Sequence, residues 1–280
     1  VEEESVQHVK EQKWMDITPD ELHRTIHKTK NWKAPGVELV HNYWYKHLPS
    51  LQHCLCNALN GVITNPSLLP AWTTLGCTTL LHKKGPECEP KTYRPITCLS
   101  TLYKLVTLLF TNRVYDHLVQ EKILPPEQKG IKRRACKCKD HPLLDKLILE
   151  HTHGNRRNLG IAWVDYQKAY DSVPHSWIIR VLQLYKISPV IINFIAATIP
   201  LWHTRLTLHH TNGSITTPEI QIYRGIFQGD SFSPLIFCVG LFPLSRILNR
   251  AKLGFQLKKE KISHLLYIDN LKYMREMKRN

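Results

Sequence analysis

The chain has 280 residues, 42% of them hydrophobic and 22% charged, an ordinary balance for a soluble globular protein with no internal repeat or low-complexity tract. Lys and Arg number 38 against 23 Asp and Glu, and the resulting +15 favours a polyanionic partner, nucleic acid first. The most apolar run, residues 234–244, is far shorter than the ~20 residues a membrane helix needs, so no membrane-spanning helix is expected in this sequence.

In chain order, Thr18-Pro19-Asp20-Glu21 reads as a capping box with proline at the first helical position, and Leu22 and Ile26 supply the apolar stripe of the helix behind it. Lys33-Ala34-Pro35-Gly36 breaks that helix, and a second apolar-periodic segment runs over about 39–59. Residues 75–81 read as a strand ending in the basic turn Lys83-Lys84-Gly85. A long amphipathic helix then carries Leu102, Leu105, Val106, Leu109 and Val114 on one face. Residues 161–165 form a short apolar strand ending in Asp165, and Pro174 opens a helix with Trp177, Ile178, Val181 and Leu182. Residues 204–208 and 215–222 read as a hairpin turning at Asn212-Gly213. Ser233-Pro234 caps an apolar helix to about 248, and residues 265–269 are a second apolar strand ending in a carboxylate, with Asn270 at the turn. Strand, helix, strands, helix, strand is an α+β order, with helices expected on one face of an antiparallel sheet.

Basic residues cluster at Lys129, Lys132, Arg133, Arg134, Lys137 and Lys139, and again at Lys258, Lys259 and Lys261. Each cluster fits a nucleic-acid contact or a solvated loop equally well. Eight cysteines without regular spacing and without a visible signal peptide make reduced cytosolic or nuclear thiols the default. Cys136-Lys137-Cys138 with His141, His151 and His153 invites a zinc reading, but CxC without a second matching pair argues against it. The chain starts at Val1 rather than Met, which reads as a fragment and leaves a lost targeting signal open.

Asp165 and Asp269 each end an apolar strand. Neighbouring strands would bring them together, where two carboxylates repel unless a cation lies between them. Hard oxygen ligands select Mg²⁺ or Mn²⁺, and such a pair can clamp two metals for phosphoryl transfer. Aspartate is also common in turns, so each could simply cap a strand-to-turn junction.

The surrounding residues go further. The block Ala162-Trp163-Val164-Asp165-Tyr166-Gln167-Lys168-Ala169-Tyr170-Asp171 resembles motif A of reverse transcriptases. The block Arg224-Gly225-Ile226-Phe227-Gln228-Gly229-Asp230-Ser231-Phe232-Ser233-Pro234 resembles motif B, and Tyr267-Ile268-Asp269-Asn270 stands in the place of motif C. Lys33-Ala34-Pro35-Gly36, Lys83-Lys84-Gly85 and Tyr93-Arg94-Pro95-Ile96 resemble the upstream fingers of non-LTR retrotransposons. The resemblance implies a polymerase right hand with an N-terminal helical extension over 1–70, fingers over 71–158 and palm over 159–280. It implies metal binding by Asp165 and Asp269 with Mg²⁺ or Mn²⁺. It places Tyr166 and Tyr170 at the nucleotide, Tyr170 as a gate against a 2′-hydroxyl. Lys84 (or its neighbour Lys83) and Arg94 would hold the triphosphate, while Gln228 and Gly229 would position nucleotide and template. The implied partners are an RNA template, a DNA primer and deoxynucleoside triphosphates, with nuclear or cytoplasmic residence.

Two departures stand out. Family members usually carry two adjacent aspartates at motif C, and here the second is Asn270, which lacks the anionic oxygen. Residues 132–142 also depart from the family pattern, and the chain ends shortly after motif C, so the thumb is expected to be missing. Two functions follow: an RNA-directed DNA polymerase domain using two metals, or a catalytically inactive remnant that at most binds nucleic acid.

Overall fold

A computed structural model describes residues 6–133, 140–251, 253–257 and 260–277. The Cys136-Lys137-Cys138 segment and parts of both basic clusters lie outside the described residues. The fold is α+β, with two compact units interleaved along the chain. Unit 1 takes residues 1–8, 122–169 and 234–280; unit 2 takes 9–121 and 170–233.

Unit 2 begins with α1 (Pro19–Lys28), α2 (Asn42–His47) and α3 (Pro49–Thr64). Half of the expected capping box forms: Thr18 Oγ1 accepts from the Glu21 N–H at 3.2 Å. The Glu21 carboxylate turns instead to Arg113, which grips it with Nε at 2.8 Å and Nη2 at 2.6 Å, a fork that outbids one backbone amide. The apolar run over 39–59 divides at Leu48-Pro49 into α2 and α3, because proline cannot donate within a continuing helix. The predicted long helix is α4 (Thr101–Gln120). It is buried nearly all round rather than amphipathic, with Tyr103, Leu105, Val106, Leu109, Phe110 and Val114 each at most 1% exposed. Phe194 and Phe232 meet Phe110 edge-on, at centroid separations of 5.2 and 6.5 Å. Phe194 lies on α7 (Pro189–Thr198), which follows α6 (His175–Leu184).

The sheet of unit 2 is mixed. Its strands are β1 (Leu75–His82), β2 (Tyr93–Cys98), β4 (His203–His210), β5 (Gly213–Thr216) and β6 (Ile220–Gln221), in the order β2-β1-β4-β5 with β6 also on β4. The β1–β4 pairing is parallel, and it places the 203–222 strands beside β1 rather than in the antiparallel sheet expected to hold them together with the strand leading to Asp165. The hairpin turns at Thr211-Asn212, since His210 pairs with Gly213, one residue earlier than the Asn-Gly signal indicated. Gly213 has φ +140°, so the glycine is spent on the first strand position after the turn.

Unit 1 is built on a three-stranded antiparallel sheet, β3-β10-β9, from β3 (Asn158–Val164), β9 (His264–Tyr267) and β10 (Asn270–Met277). Asn270 is thus the first residue of the central strand, not a turn residue as the sequence suggested. The small hairpin β7 (Phe255–Leu257) and β8 (Glu260–Ile262) forms a sheet of its own. Ile148, on α5 (Asp140–Gly154), packs with Phe255, Leu265 and Met274 as the core of this unit. Lys272 on β10 is only 6% exposed; its ammonium pairs with Asp145 of α5 at 2.6 Å and lies 4.6 Å from the Trp163 ring centroid. A buried lysine is tolerated there because carboxylate and π-face together replace its water. The remaining helix, α8 (Ser233–Arg250), begins in unit 2 and continues in unit 1. Among the described residues no helix is long and apolar enough to cross a membrane.

Candidate active site

In unit 1, β3 runs antiparallel to β10 with Val164 opposite Leu271, so the next position, Asp165, is level with Asn270. Tyr267 pairs with Asn270 across β9–β10, leaving Ile268 and Asp269 as the two central residues of a tight turn. Asp165, Asp269 and Asn270 therefore gather at one end of one sheet. The neighbouring strand that links the two aspartates is β10; β9, which leads into Asp269, lies on its far side. Ile268 takes φ +56°, a conformation that costs a β-branched residue roughly 1–3 kcal/mol and that glycine usually fills at this turn position.

Asp165 is exposed and Asp269 half-buried. Among the described residues, no lysine or arginine pairs with either carboxylate. The Asn270 amide donates to Asp269 Oδ1 at a long 3.4 Å. Beneath the turn, the buried thiol of Cys238 on α8 is pushed up strongly by burial and then by the charge of Asp269. No group of three or more His, Cys, Asp or Glu able to hold a metal occurs among the described residues. Two carboxylates with no lysine or arginine partner among the described residues nevertheless have the hard oxygen chemistry that suits a divalent cation. Tyr166 follows directly, and partial burial raises the pKa of its phenol.

Unit 2 holds the other candidates. Lys84 is exposed in the β1–β2 loop, and Arg94 is exposed on β2 opposite Leu81. The loop over 224–230 is fastened at both ends. At its head, the Gly225 N–H donates to Val173 O at 2.8 Å and the Ile226 N–H to Tyr170 O at 3.0 Å. Arg224 Nε donates to Ser172 O at 2.7 Å, and His175 Nε2 to Gly225 O at 2.9 Å. At its tail, the Thr97 N–H donates to Gln228 O at 2.9 Å, and a Cβ on Gly229 would lie 2.2 Å from Thr97 O. Glycine is required there by space and by φ +137° alike. Tyr170, in a 3₁₀ turn, is thus tied to the head of the loop and Gln228-Gly229 to β2. A cleft of about 300 Å³ opens between, lined by Thr78, Pro95, Thr97, Asp171, Arg224 and Gln228 among others. Its floor is a hydroxyl chain, Thr97–Thr78 at 2.8 Å and Thr78–Thr204 at 2.6 Å.

Residues 81–279 match the model of the family described as reverse transcriptase (RNA-dependent DNA polymerase). The chain belongs to the reverse transcriptase family. It is 32% identical over 247 residues to the retrovirus-related Pol polyprotein from type-1 retrotransposable element R2 of Popillia japonica, covering 86% of this chain and 33% of that protein. It is 26% identical over 224 residues to the probable RNA-directed DNA polymerase from transposon BS of Drosophila melanogaster (80% and 24%). The RNA-directed DNA polymerase from mobile element jockey of the same fly is 25% identical over 226 residues (80% and 24%). The chain thus spans a quarter to a third of these relatives. Reverse transcriptase domains of non-LTR retrotransposons are the group to which the sequence motifs pointed. The position that sequence reasoning missed is Gln128, whose side chain reaches the Ile268 backbone and whose loop setting carries no periodic signal.

Proposed function

We propose that this domain performs RNA-directed DNA synthesis, with Asp165 and Asp269 holding Mg²⁺ or Mn²⁺ at the end of the β3-β10-β9 sheet. The observation that carries the reading is the register that delivers two carboxylates, from distant parts of the chain, to one sheet end. A bound divalent cation would there supply charge stabilisation for nucleotidyl transfer. In this reading β3, β9 and β10 belong to the palm and β1–β2 to the fingers. Arg94 and Lys84 bind the triphosphate, Tyr166 and Tyr170 border the nucleotide, and Gln228 and Gly229 place nucleotide and template. Arg94 suits its role because a guanidinium fork matches phosphate oxygens. The RNA template, DNA primer and deoxynucleoside triphosphates are the partners of this proposal. An inactive remnant is the less favoured reading: the loop over 224–230 is tied at both ends by backbone hydrogen bonds, and the relatives that the chain matches include proteins named as RNA-directed DNA polymerases.

Primer extension on an RNA template tests the proposal, comparing native protein with Asp165→Asn and Asp269→Asn. Each substitution should lower the rate roughly 1000-fold, the equivalent of several kcal/mol of lost charge stabilisation, with template binding retained. Extension that persists in both variants would reject these residues as the catalytic pair.

A further inference from the structure

Residues 127–129 lie parallel to β9, with the Leu266 N–H donating to Glu127 O at 3.1 Å and the Lys129 N–H to Leu266 O at 3.0 Å. This pairing aims the side chain of Gln128, 1% exposed, at the turn that carries Asp269. Its carboxamide grips both backbone groups of Ile268: Oε1 accepts from the Ile268 N–H at 3.0 Å, and Nε2 donates to Ile268 O at 3.2 Å. The same Oε1 accepts from the Gly130 N–H at 2.9 Å, which fixes the orientation of the amide. Gly130 in turn presses on the turn, since a Cβ there would lie 2.6 Å from Ile268 Cγ1 and 2.7 Å from Ile268 N.

We propose that Gln128, backed by Gly130, is the positioning residue for Asp269. It holds Ile268 in its left-handed conformation and so sets the direction in which the Asp269 carboxylate leaves the turn. The inference rests on the reading of Asp269 as a cation ligand. The Ile268 carbonyl and the Asp269 amide share one planar peptide, so a hydrogen bond that fixes the carbonyl fixes the plane from which Asp269 departs. The two central residues of a tight hairpin turn lack ladder partners, and the positive φ of Ile268 is unfavourable without outside help. A primary amide donates and accepts in a single plane whatever the pH, which an ionised carboxylate cannot do. Leucine at 128 would leave the Ile268 N–H and C=O unpaired in a buried place, and ionised glutamate would lose the donor.

The test uses the chain as it stands, with three readouts: amide hydrogen exchange, Mn²⁺ affinity from water proton relaxation, and the urea midpoint. Gln128→Leu should speed exchange of the Ile268 amide at least ~100-fold while the Lys272 and Met274 amides of β10 stay slow, as local opening requires. Mn²⁺ affinity should fall about tenfold in samples matched for folded fraction. Gly130→Ala, which leaves Gln128 in place but displaces Ile268, should reproduce both changes. Asp165→Asn serves as the reference for the cation site. If it weakens Mn²⁺ binding but Gln128→Leu and Gly130→Ala do not, the positioning role is wrong and the site reading stands. If Asp165→Asn changes nothing, the site reading fails and the positioning role falls with it. Uniformly faster exchange across β10, or unfolding of both variants, would assign residues 128–130 to general stability and overturn the proposal.

Discussion

Asp230 closes the loop over 224–230 with its carboxylate accepting from Thr107 Oγ1 at 2.6 Å, the Ser231 N–H at 2.7 Å and the Phe232 N–H at 3.3 Å. Burial nevertheless dominates and pushes its pKa up to about 6, the hydrogen bonds and the Lys104 charge offsetting it in part. A carboxyl raised on folding stabilises the protein fully below its unfolded pKa, near 3.8, and that contribution is lost as pH rises through about 6. Urea midpoints should therefore show the native protein losing ground to Asp230→Asn between pH 4 and pH 7. A pH-independent gap between the two would refute the assignment. Asn270 is the other residue whose identity has a measurable consequence. It is exposed, makes one long contact to Asp269 and lies level with Asp165. Asn270→Asp should disturb packing little and raise Mn²⁺ affinity by roughly tenfold, since a third carboxylate joins the sheet end. Isothermal titration of the two forms decides it, and equal affinities would show that this position stays outside the cation's coordination.

The elements were legible where a strong local signal agreed with the tertiary environment. The strand over 75–81, the helix behind Pro174 and the helix behind Ser233-Pro234 all appear close to their expected bounds. The misses have physical causes. The strand β10 escaped notice because its sequence, Asn270 to Met277, mixes Lys272, Arg275 and Glu276 with apolar residues. Two of those charges are paired, Lys272 with Asp145 and Glu276 with Arg157, and the pairing is invisible in a one-dimensional pattern. The amphipathic reading of α4 failed because packing of unit 2 surrounds it. The parallel β1–β4 pair joins strands more than a hundred residues apart, which local periodicity cannot report. For the candidate site, Asp165 and Asp269 were legible as strand-ending carboxylates, whereas Gln128 required the fold. The fit between β2 and the 224–230 loop offers an element-scale prediction. Gly229→Ala combines a Cβ 2.2 Å from Thr97 O with φ +137° and should cost roughly 2–4 kcal/mol in urea denaturation. An Ala variant as stable as native would mean that the loop does not bear on β2.

On the scale of the whole molecule, the +15 net charge dominates interactions with any polyanion. Affinity for an RNA–DNA duplex should be largely independent of sequence and fall on the order of 1000-fold between 50 and 200 mM salt, as release of several counterions demands. A flat salt response would reduce the basic residues to a solvated surface. In the proposed site, Asp165 and Asp269 act on one cation-binding end of the β3-β10-β9 sheet. A double-mutant cycle on Mn²⁺ binding tests it most directly, with native, Asp165→Asn, Asp269→Asn and the double variant titrated side by side. If the two carboxylates share an ion, either single change removes most of the affinity and the second adds little, a coupling of at least ~1 kcal/mol. Losses that simply add, or no loss in either single variant, would contradict it.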